Sequence, residues 1–173
     1  MTLELPDLLR GALDRHGLPG SALCIEVTES AVVPDAEVAS QVLTRVRDLG
    51  ITVALDDFGS GQSSLSQLAR LPVDSVKIDR SFTSCALSDP ASLRLLTSIV
   101  RVCQALALPI VAEGIEQAPL AEFLADIGCD RGQGYLFGRP ESGEHFRTRL
   151  RPVRLPSARP AGDDNQARVR APR

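Results

Sequence analysis

Strand-like and helix-like patterns alternate along this chain, and that alternation limits its fold more than any other feature. Leu5, Leu8, Leu9, Ala12 and Leu13 recur at helical spacing, with Pro6 suited to a first turn and Gly17 to a helix end. Residues 22–27 form a short β-rich run. Pro34 and Asp35 then open a helix bearing Val38, Val42, Leu43, Val46 and Leu49, closed by Gly50. The spacing next predicts a strand over 52–55, a short helix near 64–69 and a strand over 75–78. Asp89-Pro90 starts a long helix carrying Leu93, Leu96, Ile99, Val100, Cys103 and Leu106. A strand over 110–112, a helix over 117–127, a strand within 128–134 and a helix over 142–150 complete the series. Such repeats with short connections make βαβ units and a parallel sheet. Residues 1–150 therefore read as one domain, and the Arg/Pro-rich residues 151–173 as a disordered tail.

Side chains alternate across a strand, so parity assigns each residue to a face. Ile25, Val27, Val53, Leu55, Val76, Ile78, Ile110 and Ala112 share one apolar face, fit to lie under helices. The opposite parity carries Cys24 and Glu26, Ala54 and Asp56, Lys77 and Asp79, Val111 and Glu113. A (β/α)8 barrel has this signature: apolar strand faces under helices, functional side chains at the carboxyl ends. About five strand–helix units are visible, whereas a complete barrel needs eight and about 250 residues. The expected fold class is α/β, an incomplete (β/α)8 TIM-type barrel with a parallel sheet. An open, doubly wound five-stranded sheet is the structural alternative.

Glu26, Glu29, Asp56, Asp57, Asp79, Glu113, Glu116 and Asp130 all fall at expected strand ends. Carboxylates gathered in one cleft repel unless cations sit among them. Hard divalent ions prefer oxygen ligands, and the adjacent Asp56 and Asp57 suit a pair of ions clamping an in-line phosphoryl displacement. Any one of these acids taken singly is better explained as a helix cap; the whole set on one parity face is better explained by metal ions. Lys77 is the sole lysine among 19 cationic residues, placed where a compact ammonium could hold water or neutralise phosphate. The stretch 57–64 (Asp-Phe-Gly-Ser-Gly-Gln-Ser-Ser) is a glycine- and hydroxyl-rich turn whose amides could approach phosphate.

Composition excludes several alternatives. Aromatics are 3% of the chain and Trp is absent, so stacking platforms for single-stranded nucleic acid are not expected. The body is acidic, and six arginines (151, 154, 159, 168, 170, 173) offset Asp163 and Asp164 in the tail, which argues against a DNA or RNA surface. No apolar run approaches a membrane span, and no signal sequence opens the chain. Cys24, Cys85, Cys103 and Cys129 form no CxxC pair and read as reduced core residues of a cytoplasmic protein. His16 and His145 read as surface residues on helices, away from the strand ends.

Five motifs in order are Ile25-Glu26-Val27-Thr28-Glu29-Ser30, Asp56-Asp57-Phe58-Gly59-Ser60-Gly61, Lys77-Ile78-Asp79-Arg80-Ser81-Phe82, Ala112-Glu113-Gly114-Ile115-Glu116 and Gln133-Gly134-Tyr135-Leu136-Phe137-Gly138-Arg139-Pro140. Together they resemble the EAL domain family, bacterial phosphodiesterases that open cyclic di-GMP to the linear dinucleotide pGpG. The resemblance runs from about residue 5 to 146. It implies that Glu26, Asp56 and Asp57 are ligands of two Mg²⁺ or Mn²⁺ ions, with Asp56 shared. It implies that Lys77 orients or deprotonates the attacking water and that Glu113 is a second acid/base or metal-associated carboxylate. Gln133 and Asp79 are implied substrate contacts, and Glu116 a further rim residue. Glu29, with Gly59 and Gly61, is implied to steady the loop after Phe58, a loop linked in the family to dimer communication. Gln62 stands where the family often has an aromatic.

The Glu-Ala-Leu motif and the family's asparagine ligand are not in this sequence. The resemblance thus implies an N-terminally shortened domain lacking the first three barrel strands. Weak or absent turnover follows, unless a partner chain or residues upstream of those given complete the site. The alternative expectation is a non-catalytic module that binds cyclic di-GMP or protein.

Overall fold

The computed structural model describes residues 2–32, 35–59 and 68–149. The described residues up to Arg139 form one compact unit; the described residues from Pro140, with helix α7 (Gly143–Arg149), belong to another. The expected helix near 64–69 falls largely, and the expected tail wholly, outside the described residues.

Helix α1 (Leu5–His16) begins with Pro6 in its first turn. It ends at Gly17, whose φ of 61° lets its amide reach the carbonyls of Asp14 and Leu13. After a 3₁₀ turn (Gly20–Ala22) comes strand β1 (Cys24–Thr28), then the short helix α2 (Glu29–Val32). Helix α3 (Ala36–Arg47) starts where Asp35 accepts a hydrogen bond from the Val38 amide. It buries Ala39, Val42, Leu43 and Val46, a stripe at helical period. Strand β2 is Thr52–Phe58 and β3 is Ser75–Ile78. Helix α4 (Arg80–Ser84) follows β3 directly. Helix α5 (Pro90–Ala105) opens as its sequence demands: Asp89 accepts from the Ala91 and Ser92 amides, and Pro90 takes the first turn. Strand β4 (Ile110–Ala112), helix α6 (Ala118–Asp126) and strand β5 (Arg131–Gly132) complete this unit.

All five strands are parallel and lie in the order β1-β2-β3-β4-β5. That order separates the two expected folds. A doubly wound sheet reverses direction at a switch point and covers both faces, whereas crossovers of one hand in sequential order put every helix on the same side. The core accordingly holds Val27, Val53, Leu55, Val76, Ile78, Ile110 and Ala112, as parity required. Each large apolar side chain withdrawn from water there contributes about 1.5–3 kcal/mol. Glu26, Asp56 and Glu113 stay off this core, on the barrel-interior parity.

Parity holds along β2 only as far as Asp56. Leu55 pairs with Val76 but Phe58 pairs with Ile78, so β2 carries one extra residue opposite Lys77. Asp57 takes a φ of 56° at this bulge. The extra residue returns Phe58 to the core side, where it is buried.

Two expectations are corrected. Asp130 precedes β5 and accepts a hydrogen bond (2.8 Å) from the amide of Ile110, the first residue of β4. It therefore lies at the amino ends of the strands, opposite the acidic rim, and serves as Asp74 does for Val53 (2.9 Å). Of the four cysteines only Cys103 is a buried core residue; Cys24 and Cys85 are exposed and Cys129 is half-buried. Cys24 opens β1 on the parity of Glu26, and Cys85 caps the end of α4.

Candidate active site

Lys77 stands at the middle of the sheet's carboxyl edge, and each neighbouring strand supplies it with an acid. Its Nζ lies 2.7 Å from Glu26 Oε2 of β1, 3.0 Å from Asp56 Oδ1 of β2 and 2.7 Å from Glu113 Oε1 just beyond β4. The Lys77 side chain is 8% exposed, Asp56 and Glu113 20% each, and Glu26 49%. Burial alone would lower the lysine pKa, but the carboxylates of Glu113, Glu26 and Asp56 beside the ammonium outweigh it and raise the pKa well above its ordinary value. Lys77 is therefore a firmly held ammonium.

The four strand-end residues Glu26, Asp56, Lys77 and Glu113 thus meet as the parity argument placed them. Asp57, half-buried at the bulge, follows Asp56 directly. Glu29, at the start of α2, is buried, and its Oε2 accepts from the Gly59 amide at 3.3 Å. That bond ties α2 to the end of β2. Gly61 lies outside the described residues. Asp79 caps α4: its Oδ1 accepts from the Ser81 amide at 2.9 Å, and hydrogen bonds from Ser81 hold its pKa below the usual carboxylate value.

A groove of about 660 Å³ opens beside this cluster and shares Glu113 with it. Arg80, Glu116, Gln117, Gln133 and Tyr135 line it as well. Gln133 is fixed through its backbone, donating to Ala112 O (2.8 Å) and accepting from Ile115 N (3.1 Å). Gly134 is required next to it, because a Cβ there would overlap the backbone of Ile115. Tyr135 is exposed, with the Arg139 guanidinium 4.6 Å from its ring centroid. Thr83, also on this groove, went unremarked in the sequence, and Arg80 stood in a motif without a role; their signal is their place on the first turn after Asp79.

The donor chemistry suits a hard divalent cation. All the candidate ligands are carboxylates, and Asp56 Oδ1 is buried with an ion pair to Lys77 but no well-formed hydrogen bond. Among the described residues no three acidic, imidazole or thiol groups are gathered closely enough to enclose an ion. The Lys77 ammonium holds that centre instead.

Comparison with known proteins agrees with this geometry. The EAL domain model matches residues 1–140. The cyclic di-GMP phosphodiesterase NbdA of Pseudomonas aeruginosa is 39% identical over 164 residues, covering 95% of this chain and 21% of that protein. Two further curated relatives, both uncharacterized, are matched over only 19% and 24% of their length, so the chain spans a quarter or less of these three. The EAL domain of Mycobacterium smegmatis DcpA superposes with a TM-score of 0.82 at 40% identity, covering 90% of this chain and 70% of that one. Klebsiella pneumoniae BlrP1, solved with manganese and cyclic di-GMP, gives a TM-score of 0.70 at 34% identity, covering 78% of this chain and 34% of that one. No helix among the described residues is long and apolar enough to cross a membrane. With sequential parallel strands, an acid-ringed lysine at their carboxyl ends and a family model spanning most of its length, this chain belongs to the EAL domain family.

Proposed function

We propose that this chain carries out, or contributes the greater part of a site for, metal-dependent hydrolysis of cyclic di-GMP to linear pGpG. The observation that carries the reading is the convergence of Glu26, Asp56 and Glu113 on Lys77 from separate strands. Glu26, Asp56 and Asp57 would hold Mg²⁺ or Mn²⁺, which when bound polarises the phosphoryl oxygens and favours ionisation of water. Lys77, kept protonated by its neighbours, orients the attacking water or a phosphate oxygen rather than removing a proton. The water oxygen bonds to phosphorus as the P–O bond to a ribose 3′ oxygen breaks. Glu113 is the group placed to take the proton from water or return one to the leaving oxygen. Gln133 and Glu116, on the shared groove, are suited to the base or ribose, and Asp79 acts through α4 at its margin.

A second reading, binding of cyclic di-GMP or protein without turnover, is favoured by the absence among the described residues of three acids that enclose an ion. On that ground we expect slow turnover by this chain alone, accelerated by a partner chain that adds ligands. Purified protein with Mn²⁺ or Mg²⁺ and cyclic di-GMP, followed by chromatography, tests the proposal. Linear product that disappears in Glu113→Ala supports hydrolysis. Intact nucleotide with a calorimetric binding signal supports the second reading, and neither product nor binding refutes both.

A further inference from the structure

Among the described residues the buried polar side chains are Glu29, Lys77 and Thr83. Lys77 is the centre of the site and Glu29 holds Gly59. Thr83, 1% exposed, has no part in the chemistry derived above. It belongs to α4 and lies against the turn where β4 ends. Its hydroxyl has two acceptors in reach: Arg80 O at 3.1 Å, within its own helix, and Glu113 O at 2.6 Å. The local carbonyl alone would satisfy the hydroxyl. The shorter bond, to a residue 30 positions away, is thus more than α4 needs for itself.

That bond completes a clamp on Glu113. The Glu113 amide donates to Ile78 O of β3 at 3.1 Å, while its carbonyl accepts from Thr83. The following residue, Gly114, has a φ of 68°, and a Cβ there would stand 2.6 Å from Arg80 Cβ. Helix α4 therefore presses directly on the turn. With its backbone held at both ends, the Glu113 side chain sets Oε1 at 2.7 Å from Lys77 Nζ.

We propose that Thr83 is a positioning residue: its hydroxyl fixes the Glu113 carbonyl and thereby holds the Glu113 carboxylate on Lys77. The consequence for turnover rests on the phosphodiesterase reading above; the positioning itself does not. Without the hydroxyl, the Glu113 carbonyl loses its side-chain partner and the turn relaxes. A displacement near 1 Å at an acid/base group can cost about a hundredfold in rate.

Thr83→Val keeps the shape and removes the hydroxyl; Thr83→Ser keeps the hydroxyl and removes a methyl. Because the chain has one lysine, lysine-selective ¹⁵N labelling gives Lys77 the sole lysine ammonium signal. We expect its proton exchange with water to quicken about tenfold in Thr83→Val and to stay within about twofold in Thr83→Ser. Glu113→Gln provides the reference for a broken pair. A purely structural Thr83 would lower the melting temperature of either variant and leave the lysine signal alone. Unchanged exchange in a folded Thr83→Val, or a Thr83→Ser that shifts as far, overturns the proposal. Thr83→Ala replaces the valine variant should that one not fold. With cyclic di-GMP and Mn²⁺, Thr83→Val should lower kcat at least about tenfold with KM within about twofold. If the parent chain hydrolyses nothing, the phosphodiesterase reading fails while the ammonium signal still decides the positioning.

Discussion

Replacing Lys77 by Met leaves a side chain of similar length without charge, so the variant isolates what the ammonium contributes. Removing one partner of a buried ion pair costs about 3–5 kcal/mol. Glu26 is half in solvent and its share is screened, which brings the expected loss to about 2–4 kcal/mol at pH 7.5. The urea midpoint should then fall by about 1–2 M. The pH dependence follows from the same charges. The folded-state pKa of Lys77 is raised, so in the parent chain its contribution is complete below pH 10.5 and erodes only as the pH climbs beyond that value. In Lys77→Met the clustered carboxylates lose their shared cation and repel one another. Millimolar Mn²⁺ should stabilise the variant more than the parent, since a metal cation can take the ammonium's place. Urea unfolding of both proteins at pH 7.5, with and without Mn²⁺, checks this. A variant as stable as the parent, or one that the metal favours no more than the parent, would refute the electrostatic account of the cluster.

Gly134→Ala would drive a Cβ into the Ile115 backbone; a loss above about 3 kcal/mol in thermal unfolding is expected, with the groove displaced. Burial pushes the Cys103 thiol up from 9.0 to about 11, so folding stability should be complete below pH 9 and decline as pH rises through about 11. The full effect is about 3 kcal/mol, and Cys103→Ala should flatten that alkaline slope in unfolding experiments at pH 8 to 11. Asp130→Ala orphans the Ile110 amide and should cost about 1–3 kcal/mol while leaving the Lys77 ammonium signal in place.

The features legible in the sequence were those governed by local chemistry and strict period. Asp89-Pro90 announced α5, Asp35 announced α3, and β3 and β4 begin and end where the apolar runs do. Strand parity sufficed to put Glu26, Asp56, Lys77 and Glu113 on one face. What stayed hidden depended on register or direction. The bulge at Asp56 and Asp57 has no glycine to mark it, because aspartate tolerates the left-handed conformation that glycine usually signals. Asp130 and Glu113 look alike as acids near strands, yet one precedes its strand and the other follows, and only the second reaches the site. Helices α2 and α4 are too short to show a period. Thr83 was invisible for a different reason: its partner is a backbone carbonyl, which no side-chain motif records.

Sequential strand order also shapes how the chain can assemble. Each strand finds its partner in the next segment along the polymer, so closure is local and the entropic cost of looping is paid in small instalments. Lys77 meets Asp56 when β2 and β3 join, but Glu26 and Glu113 reach it only after β1 and β4 have docked on either flank. The counter-charges of the ammonium are thus spread over three strands, and either strand that pairs with β3 brings one of them to it.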